Sequence, residues 1–302
     1  MTHTVVSVVI PALNAAATLP VQLEALARQD VDVPWEVLVV DNGSTDSTLE
    51  VCRSFEGRVP GLRTLSCPVP GTSAARNAGA AASSSDLLLF CDADDEVAPG
   101  WVRAMVAALQ SSDSVGGAIE NDKLTTVRLP YMPRHPDHLP VVAGFLPRAI
   151  TANLGVRRRV FEEVGGFDPE YDYGGPDTEF CWRLQLAGHR LSYAPDAVVH
   201  YRHRHTLRSV AVKAFHTGIS RGRLYRDYGT QGMPRPRLAG VAVRWTGLLL
   251  GAPVAAVSPR TPLALARAGR RCRRTGTGQL GASACCTSER TGAAGPGAGG
   301  GP

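Results

Sequence analysis

The chain has 302 residues, 44% hydrophobic and 20% charged, which suits one large α/β unit or two domains of a soluble globular protein. Its net charge of +5 is unevenly spread: from Ser258 onward seven Arg face one Glu, so residues 1–257 carry about −1. A near-neutral body argues against a nucleic-acid partner. The seven cysteines (52, 67, 91, 181, 272, 285 and 286) form no C-x-x-C pair and no zinc spacing, which favours a reducing compartment. Cys91 and Cys181 lie in apolar stretches and are expected to be small buried hydrophobes. No basic segment precedes an apolar signal core, and the best apolar run, Trp245 to Val257, is interrupted by Pro253. A cytoplasmic location is expected.

Val5 to Ile10 is a β-branched run that predicts a buried strand closed by Pro11. Thr18 to Arg28 carries Leu19, Leu23, Leu26 and Ala27 at helical spacing. Glu36 to Val40 predicts a second strand, followed by the turn Asp41-Asn42-Gly43-Ser44-Thr45-Asp46, whose Ser44 or Asp46 can cap a helix reaching about Phe55. Leu62 to Ser66 predicts a third strand. Gly71-Thr72-Ser73 opens a helix through Ala82, with Arg76 and Asn77 in its first turns. Four strand–helix alternations in about 110 residues predict a mostly parallel sheet with helices on both faces.

The stretch Asp86-Leu87-Leu88-Leu89-Phe90-Cys91-Asp92-Ala93-Asp94-Asp95 reads as a strand buried on both faces that ends in three carboxylates. Strand ends of a parallel sheet border the crevice where such folds bind ligands. In extended geometry Asp92 and Asp94 would point the same way, and two hard oxygen ligands suit a divalent cation that also grips a phosphate. The competing reading is a solvated acidic turn, with Asp95 and Glu96 favouring a helix that begins at Pro99. After the first strand the chain reads Pro11-Ala12-Leu13-Asn14, without G-x-G-x-x-G, and no Gly-rich loop ends in Lys-Ser or Lys-Thr. Both observations argue against dinucleotide-binding and P-loop domains.

Residues 121–148, with five prolines, are expected to form a loop over the site that carries acceptor specificity. Ile150 to Val156 predicts a strand with Asn153 inside it, and Arg158 to Val164 a short helix ending at Gly165-Gly166. Asp177 to Leu186 predicts an amphipathic helix with Phe180, Cys181 and Leu184 inward, stopped by Gly188; Phe180 and Trp182 are core or sugar-stacking groups. Val198 to Tyr201 is the last predicted core strand. Leu207 to Tyr228 predicts a helix with a basic face of Arg208, Lys213, Arg221, Arg223 and Arg226. That face is either solvated or in contact with an anionic lipid-linked acceptor or membrane surface. From Gly269 the composition collapses into Arg, Gly, Ala, Ser and Thr, which predicts a disordered tail.

Six segments, in order, resemble the family 2 glycosyltransferases of GT-A fold: Val8 to Asn14, Val39 to Asp46, Ala75 to Gly79, Asp92 to Asp95, Gly165 to Asp168 and Asp177 to Leu184. The resemblance covers residues 5 to 205 or so. It implies a GT-A type α/β fold in one large domain, 1–120 for the nucleotide-sugar and 121–205 for acceptor and catalysis; beyond it, the pattern of the residues themselves predicts a helical extension over 206–268 and the tail over 269–302. It implies a nucleoside pocket lined by Pro11, Asn14, Asp41 and Asp46, with Arg76 toward the pyrophosphate. It further implies Asp92 at the ribose or a metal-bound water, Asp94 on Mg2+ or Mn2+, and His200 completing the metal site or meeting the diphosphate. Asp177 would be the base. The implied activity is inverting transfer of a sugar from a nucleoside-diphosphate sugar to a sugar or lipid-linked acceptor, in cell-surface polysaccharide or glycolipid synthesis. Peripheral membrane contact through the basic C-terminal segments is a further expectation.

Two departures from the family pattern stand out: Ala15 and Pro176 occupy positions that the family usually fills with acidic residues. They favour the alternative of an inactive nucleotide-sugar-binding or scaffold protein of the same fold. A sugar-1-phosphate nucleotidyltransferase would need a Gly-rich, Arg-bearing loop after the first strand, which Pro11 to Asn14 does not supply.

Overall fold

The computed structural model describes residues 5–124, 137–172, 174–203 and 207–235. All belong to the first of two compact units, Met1–Ala242; the second, Val243–Pro302, and with it the expected tail at 269–302, lies outside the described residues. In chain order the elements are β1 (Val6–Ala12), α1 (Leu19–Ala27), β2 (Trp35–Asp41), α2 (Thr48–Ser54), β3 (Arg63–Ser66), α3 (Thr72–Ala82) and β4 (Leu87–Phe90). There follow β5 (Glu96–Val97), α4 (Trp101–Leu109), β6 (Ser114–Glu120), the hairpin β7 (Val141–Val142) and β8 (Leu146–Pro147), and β9 (Leu154–Arg157). The last are α5 (Arg158–Glu163), α6 (Pro176–Leu186), β10 (Leu191–His200) and α7 (Leu207–Tyr228).

Eight strands form one sheet in the order β3-β2-β1-β4-β9-β6-β10-β5. The first four are parallel, as the strand–helix alternation predicts, and β9 runs antiparallel to both β4 and β6. Alternation along the central strands sends their side chains into two cores. Val6, Val8 and Ile10 of β1 join Leu87 and Leu89 of β4 with α1 and α4 on one face. Val9, Leu88 and Phe90 join α3, α5 and α6 on the other. This is why β4 reads as an unbroken apolar run: both of its faces are covered. Each large side chain so buried contributes about 1.5–3 kcal/mol. Phe90, Phe161, Phe167 and Phe180 form an aromatic cluster with centroid separations of 4.7–5.6 Å. Phe180 and Trp182 are fully buried, so they are core groups and not sugar-stacking ones. Cys91 and Cys181 are buried as expected, and burial pushes the Cys181 thiol up to about 12.

Several boundaries differ from expectation for identifiable reasons. Pro11 does not close β1, which runs on to Ala12. The β4 ladder ends at the Val9–Phe90 pair, so proline's missing N–H faces a side where no strand remains to receive it. The helix expected from Pro99 begins at Trp101, because Glu96 and Val97 pair with His200 and Val199 as the edge strand β5. Asn153 is not inside a strand; Thr151–Asn153 is a 3-10 turn preceding β9. Its buried amide donates to the carbonyls of Ala118 and Ala197 and accepts from the Trp101 indole, a bonding pattern that an extended ladder would not leave free. In the expected loop, residues 125–136 fall outside the described residues, while 141–147 form the β7–β8 hairpin. The last strand is longer than Val198 to Tyr201: β10 spans ten residues, with an irregularity between Ala194 and Val198. No helix among the described residues is long and apolar enough to cross a membrane.

Candidate active site

Three parallel strands, β2, β1 and β4, end side by side, and their C-terminal ends carry most of the residues singled out in the sequence. Ala12 is in register with Asp41, and β4 stops one residue before Cys91-Asp92. Helix α3 is drawn tightly onto this floor. A Cβ on Gly79 would lie 2.4 Å from a Val9 methyl carbon, so glycine there lets the helix approach and sets Arg76, one turn earlier, at the crevice.

The turn after β2 is closed by its own polar groups. Asp41, buried, accepts from the amides of Gly43 and Ser44. Asn14 adopts a left-handed backbone (φ 50°), and its side-chain oxygen accepts from the Thr45 amide at 2.8 Å. Asp46 accepts from the Ala16 amide at 3.0 Å with one oxygen and from the Thr48 amide at 3.1 Å with the other, so from one residue before the N-cap Ser47 it satisfies the first amide of α2 and ties the loop after β1 to the loop after β2. The Thr48 hydroxyl, with those amides, holds the Asp46 carboxyl below its usual value. Ala15 is buried at this junction, and its amide donates to the Thr48 hydroxyl.

The turn after β4 is different. Cys91 to Asp95 is not extended but turns at Ala93-Asp94, so Asp92 and Asp94 do not share a strand face. The turn instead brings Asp92, Asp94 and Asp95 together, with one carboxylate oxygen of each within 4.8 Å of the others. Gln22, buried beneath, donates to the Asp92 carbonyl and accepts from the Val97 amide, which fixes the turn from both ends. Asp95 is fully buried and does not serve a helix start. One of its oxygens accepts from the Arg202 amide at 2.7 Å; the other has no partner. Burial, then the charges of Asp92 and Asp94, push its carboxyl up to about 9. Arg76 is 4% exposed, donates to Asp92 at 2.6 Å, and has a buried Nε without a partner. The two residues expected to face pyrophosphate and ribose are thus bonded to one another.

The donor set fits a hard divalent cation: three carboxylates in each other's field, a buried oxygen unpaired, and no soft ligand among them. Among the described residues this is the one cluster of its kind, and His200 is not part of it. His200 ends β10, where its Nδ1 lies 2.8 Å from a Glu120 oxygen. Burial would raise the Glu120 carboxyl, but the His200 ring and the amides of Asp122 and Lys123 outweigh it and hold it low.

Asp177 sits in the first turn of α6, behind Pro176 at the helix start. It accepts from the Thr178 amide at 2.8 Å and is ion-paired with Arg148. Glu179, the other acidic residue of that turn, is 3% exposed; both of its oxygens bind Arg183 and one also accepts from Tyr228. It is a packing group and cannot meet an acceptor. Tyr201 directly follows β10, its amide donating to the Glu120 carbonyl. Burial first, then the charges of Asp95, Asp92, Asp94 and Asp177, raise its phenol.

Sequence reasoning saw Asp95 but offered it to a helix start, and it missed Gln22, Arg148, Tyr201 and Arg202 as site residues. Arg202 had a usable signal, since it directly follows the last strand; its Nε donates to the Asp94 carbonyl at 2.7 Å. Gln22 and Arg148 carried none, because their partners lie 70 and 29 residues away.

An eight-stranded, mainly parallel sheet with this crevice is a GT-A fold. The chain superposes on the crystal structure of S. aureus TarS 1-349 in complex with UDP-GlcNAc with a TM-score of 0.56 at 20% identity, covering 75% of this chain and 73% of that one. Residues 7–165 match the model of glycosyl transferase family 2, and the chain belongs to that family. It is 33% identical to glycosyltransferase AglE of Haloferax volcanii over 64% of this chain, and 32% identical to the pre-mycofactocin glycosyltransferase of Mycobacterium tuberculosis over 72%. The matched stretches span 65% and 47% of those two relatives.

Proposed function

We propose that the protein transfers a sugar, with inversion, from a nucleoside-diphosphate sugar to the hydroxyl of a sugar or lipid-linked acceptor in cell-surface polysaccharide or glycolipid synthesis. The observation that carries this reading is the acidic turn at the end of β4, whose carboxylates lie within 4.8 Å of one another beside a buried Arg76. In this reading residues 1–120 hold the donor, 121–205 hold the acceptor and the base, and 206–268 form an extension. Pro11, Asn14, Asp41 and Asp46 shape the nucleoside pocket, the two acids largely by fixing the loops through backbone amides. Asp92 and Asp94, supported by Asp95, would hold Mg2+ or Mn2+, which when bound supplies Lewis-acid neutralisation of the departing diphosphate. His200 is a less direct participant, since Glu120 already engages it.

Arg76 would exchange its bond to Asp92 for the diphosphate oxygens, where its planar fork can bind two at once. Asp177 takes the acceptor proton as the acceptor oxygen bonds to the anomeric carbon and the carbon–phosphate-oxygen bond breaks on the opposite face. Arg148 holds that carboxylate in place, and a carboxylate has room for about four hydrogen bonds, so an acceptor hydroxyl can still reach it. One observation supports a ligand-binding turn over a merely solvated acidic one: Asp95 keeps a buried oxygen without a partner.

A donor panel of UDP-, GDP- and dTDP-sugars with Mn2+ tests the proposal. One donor should be consumed, by slow hydrolysis or by transfer, and NMR should find the product anomer inverted. Nucleotide binding without any turnover across the panel would support the scaffold instead.

A further inference from the structure

We propose that the outward face of α7 docks on an anionic lipid surface. This goes beyond the functional reading above and does not depend on it. One face of α7 is buried by Ser220, Leu224 and Tyr228, which pack toward α6 and the β7–β8 hairpin. Val212, Phe215 and Ile219, spaced three and four apart, lie on another face and are 44%, 67% and 43% exposed. The remaining exposed large hydrophobics among the described residues, such as Leu13 and Val69, are scattered singly, which is ordinary for a surface. Three in one helical stripe are not. Farther along the helix the surface becomes cationic, with Arg221, Arg223 and Arg226 all exposed. Arg223 and Arg226 lie near the apolar stripe, Arg226 engaged by Asp227 and Glu170 and Arg223 by the Glu170 carbonyl; Arg221, which no acidic side chain among the described residues pairs, lies about half a turn round the helix from it.

Charge decides among the possible occupants. Residues 1–206 hold 17 Lys and Arg against 25 Asp and Glu, a net −8. Residues 207–228 hold five basic residues against Asp227, a net +4. Residues 236–302 hold nine Arg against one Glu, a net +8. A second copy related by a two-fold axis through α7 would set one cationic helix on another, and the chain's own C-terminal segment would bring the same sign. An anionic bilayer matches both the apolar stripe, which enters the acyl boundary, and the basic surface, which meets the headgroups. The docked helix would lie directly behind the candidate base: a Cβ on Gly175 would stand 2.0 Å from the Ser220 hydroxyl, so α7 touches the residue two before Asp177.

The test uses the full chain and vesicles of phosphatidylcholine with or without one-third phosphatidylglycerol. Sedimentation should show binding to the anionic vesicles, weakened by salt. The triple variant Val212→Ser/Phe215→Ser/Ile219→Ser should bind about tenfold less tightly or worse, with unchanged melting temperature and elution volume. In Phe215→Trp, the indole emission should shift to the blue on vesicle addition and be quenched by brominated acyl chains. Absent binding, or binding that the triple variant retains, would overturn the proposal. So would an indole already shielded from aqueous quencher without vesicles; light scattering would then assign the cover to a second copy or to the chain's own 236–302.

Discussion

Two acidic turns stand on either side of β1, one after β2 and one after β4, and they differ in how their carboxylates are satisfied. Asp41 and Asp46 accept from five backbone amides or hydroxyls at Ala16, Gly43, Ser44 and Thr48. Asp92, Asp94 and Asp95 crowd within 4.8 Å, and one oxygen of Asp95 is buried without a partner. The first turn is complete as it stands, whereas the second has Arg76 paired with Asp92 and still leaves an Asp95 oxygen unbonded among three carboxylates. A strand-end aspartate therefore marks a binding group less by its position than by the bonds its oxygens have left open.

The largest effect should come from the incomplete turn. Asp94→Asn keeps the size and removes the anion, and sugar transfer should fall by roughly two to four orders of magnitude, with the fold retained by circular dichroism. Near-normal, Mn2+-dependent turnover in that variant would erase the distinction between the turns.

Next in size is Asp177→Asn. A helix-start residue tolerates Asn because its oxygen still accepts the amide bond, whereas a base does not survive the change. Transfer should drop about a hundredfold, with donor affinity and melting temperature nearly unchanged. Unchanged transfer would make Asp177 only a partner for Arg148.

Asp95→Asn should act in the opposite direction on stability. The folded carboxyl titrates near 9 against an unfolded value of 3.8, so the folded state holds a proton that the unfolded state has released between those values. The metal-free protein therefore loses stability as pH rises from about 4 toward 9. In chelator at pH 8 the variant should melt a few degrees above wild type, with the gap closing toward pH 4 and on addition of Mn2+ to wild type. A lower melting temperature at pH 8 would show that the ionised carboxylate is already satisfied.

The smallest effect is expected at the complete turn. Asp46→Ala removes the acceptor for the first amide of α2 and the tie to Ala16, and should lower the melting temperature by a few degrees, while Asp46→Asn retains most of it. Because the Asp46 carboxyl is held low, its contribution is present above about pH 4 and fades as pH falls through the folded value. A loss of donor binding without any loss of stability would instead make this turn a direct ligand contact.

Much of the donor half was legible because its signals are local. The β-branched run of β1, the apolar run of β4 and the alternation of strands with helices specify parallel pairing within some 90 residues. The acidic stretch was also visible, but its geometry was not. An extended reading paired Asp92 with Asp94 and gave Asp95 to a helix, whereas Gln22 and Arg202, 70 and 107 residues away from their bonds to this turn, hold it in a shape that buries Asp95. The second half was less legible for the same reason. Asn153 takes its conformation from Ala118, Ala197 and Trp101, and Asp177 its ion pair from Arg148, all long-range partners without a sequence pattern of their own.

Direct Mn2+ binding, followed by electron paramagnetic resonance in the presence of UDP, GDP or dTDP, addresses the central claim without requiring the acceptor. Wild type should take up one Mn2+ with its preferred nucleotide; Asp94→Asn should bind it at least about tenfold more weakly, and Asp46→Asn should match wild type. Equal Mn2+ affinity in all three proteins would contradict the assignment of the β4 turn as the cation site.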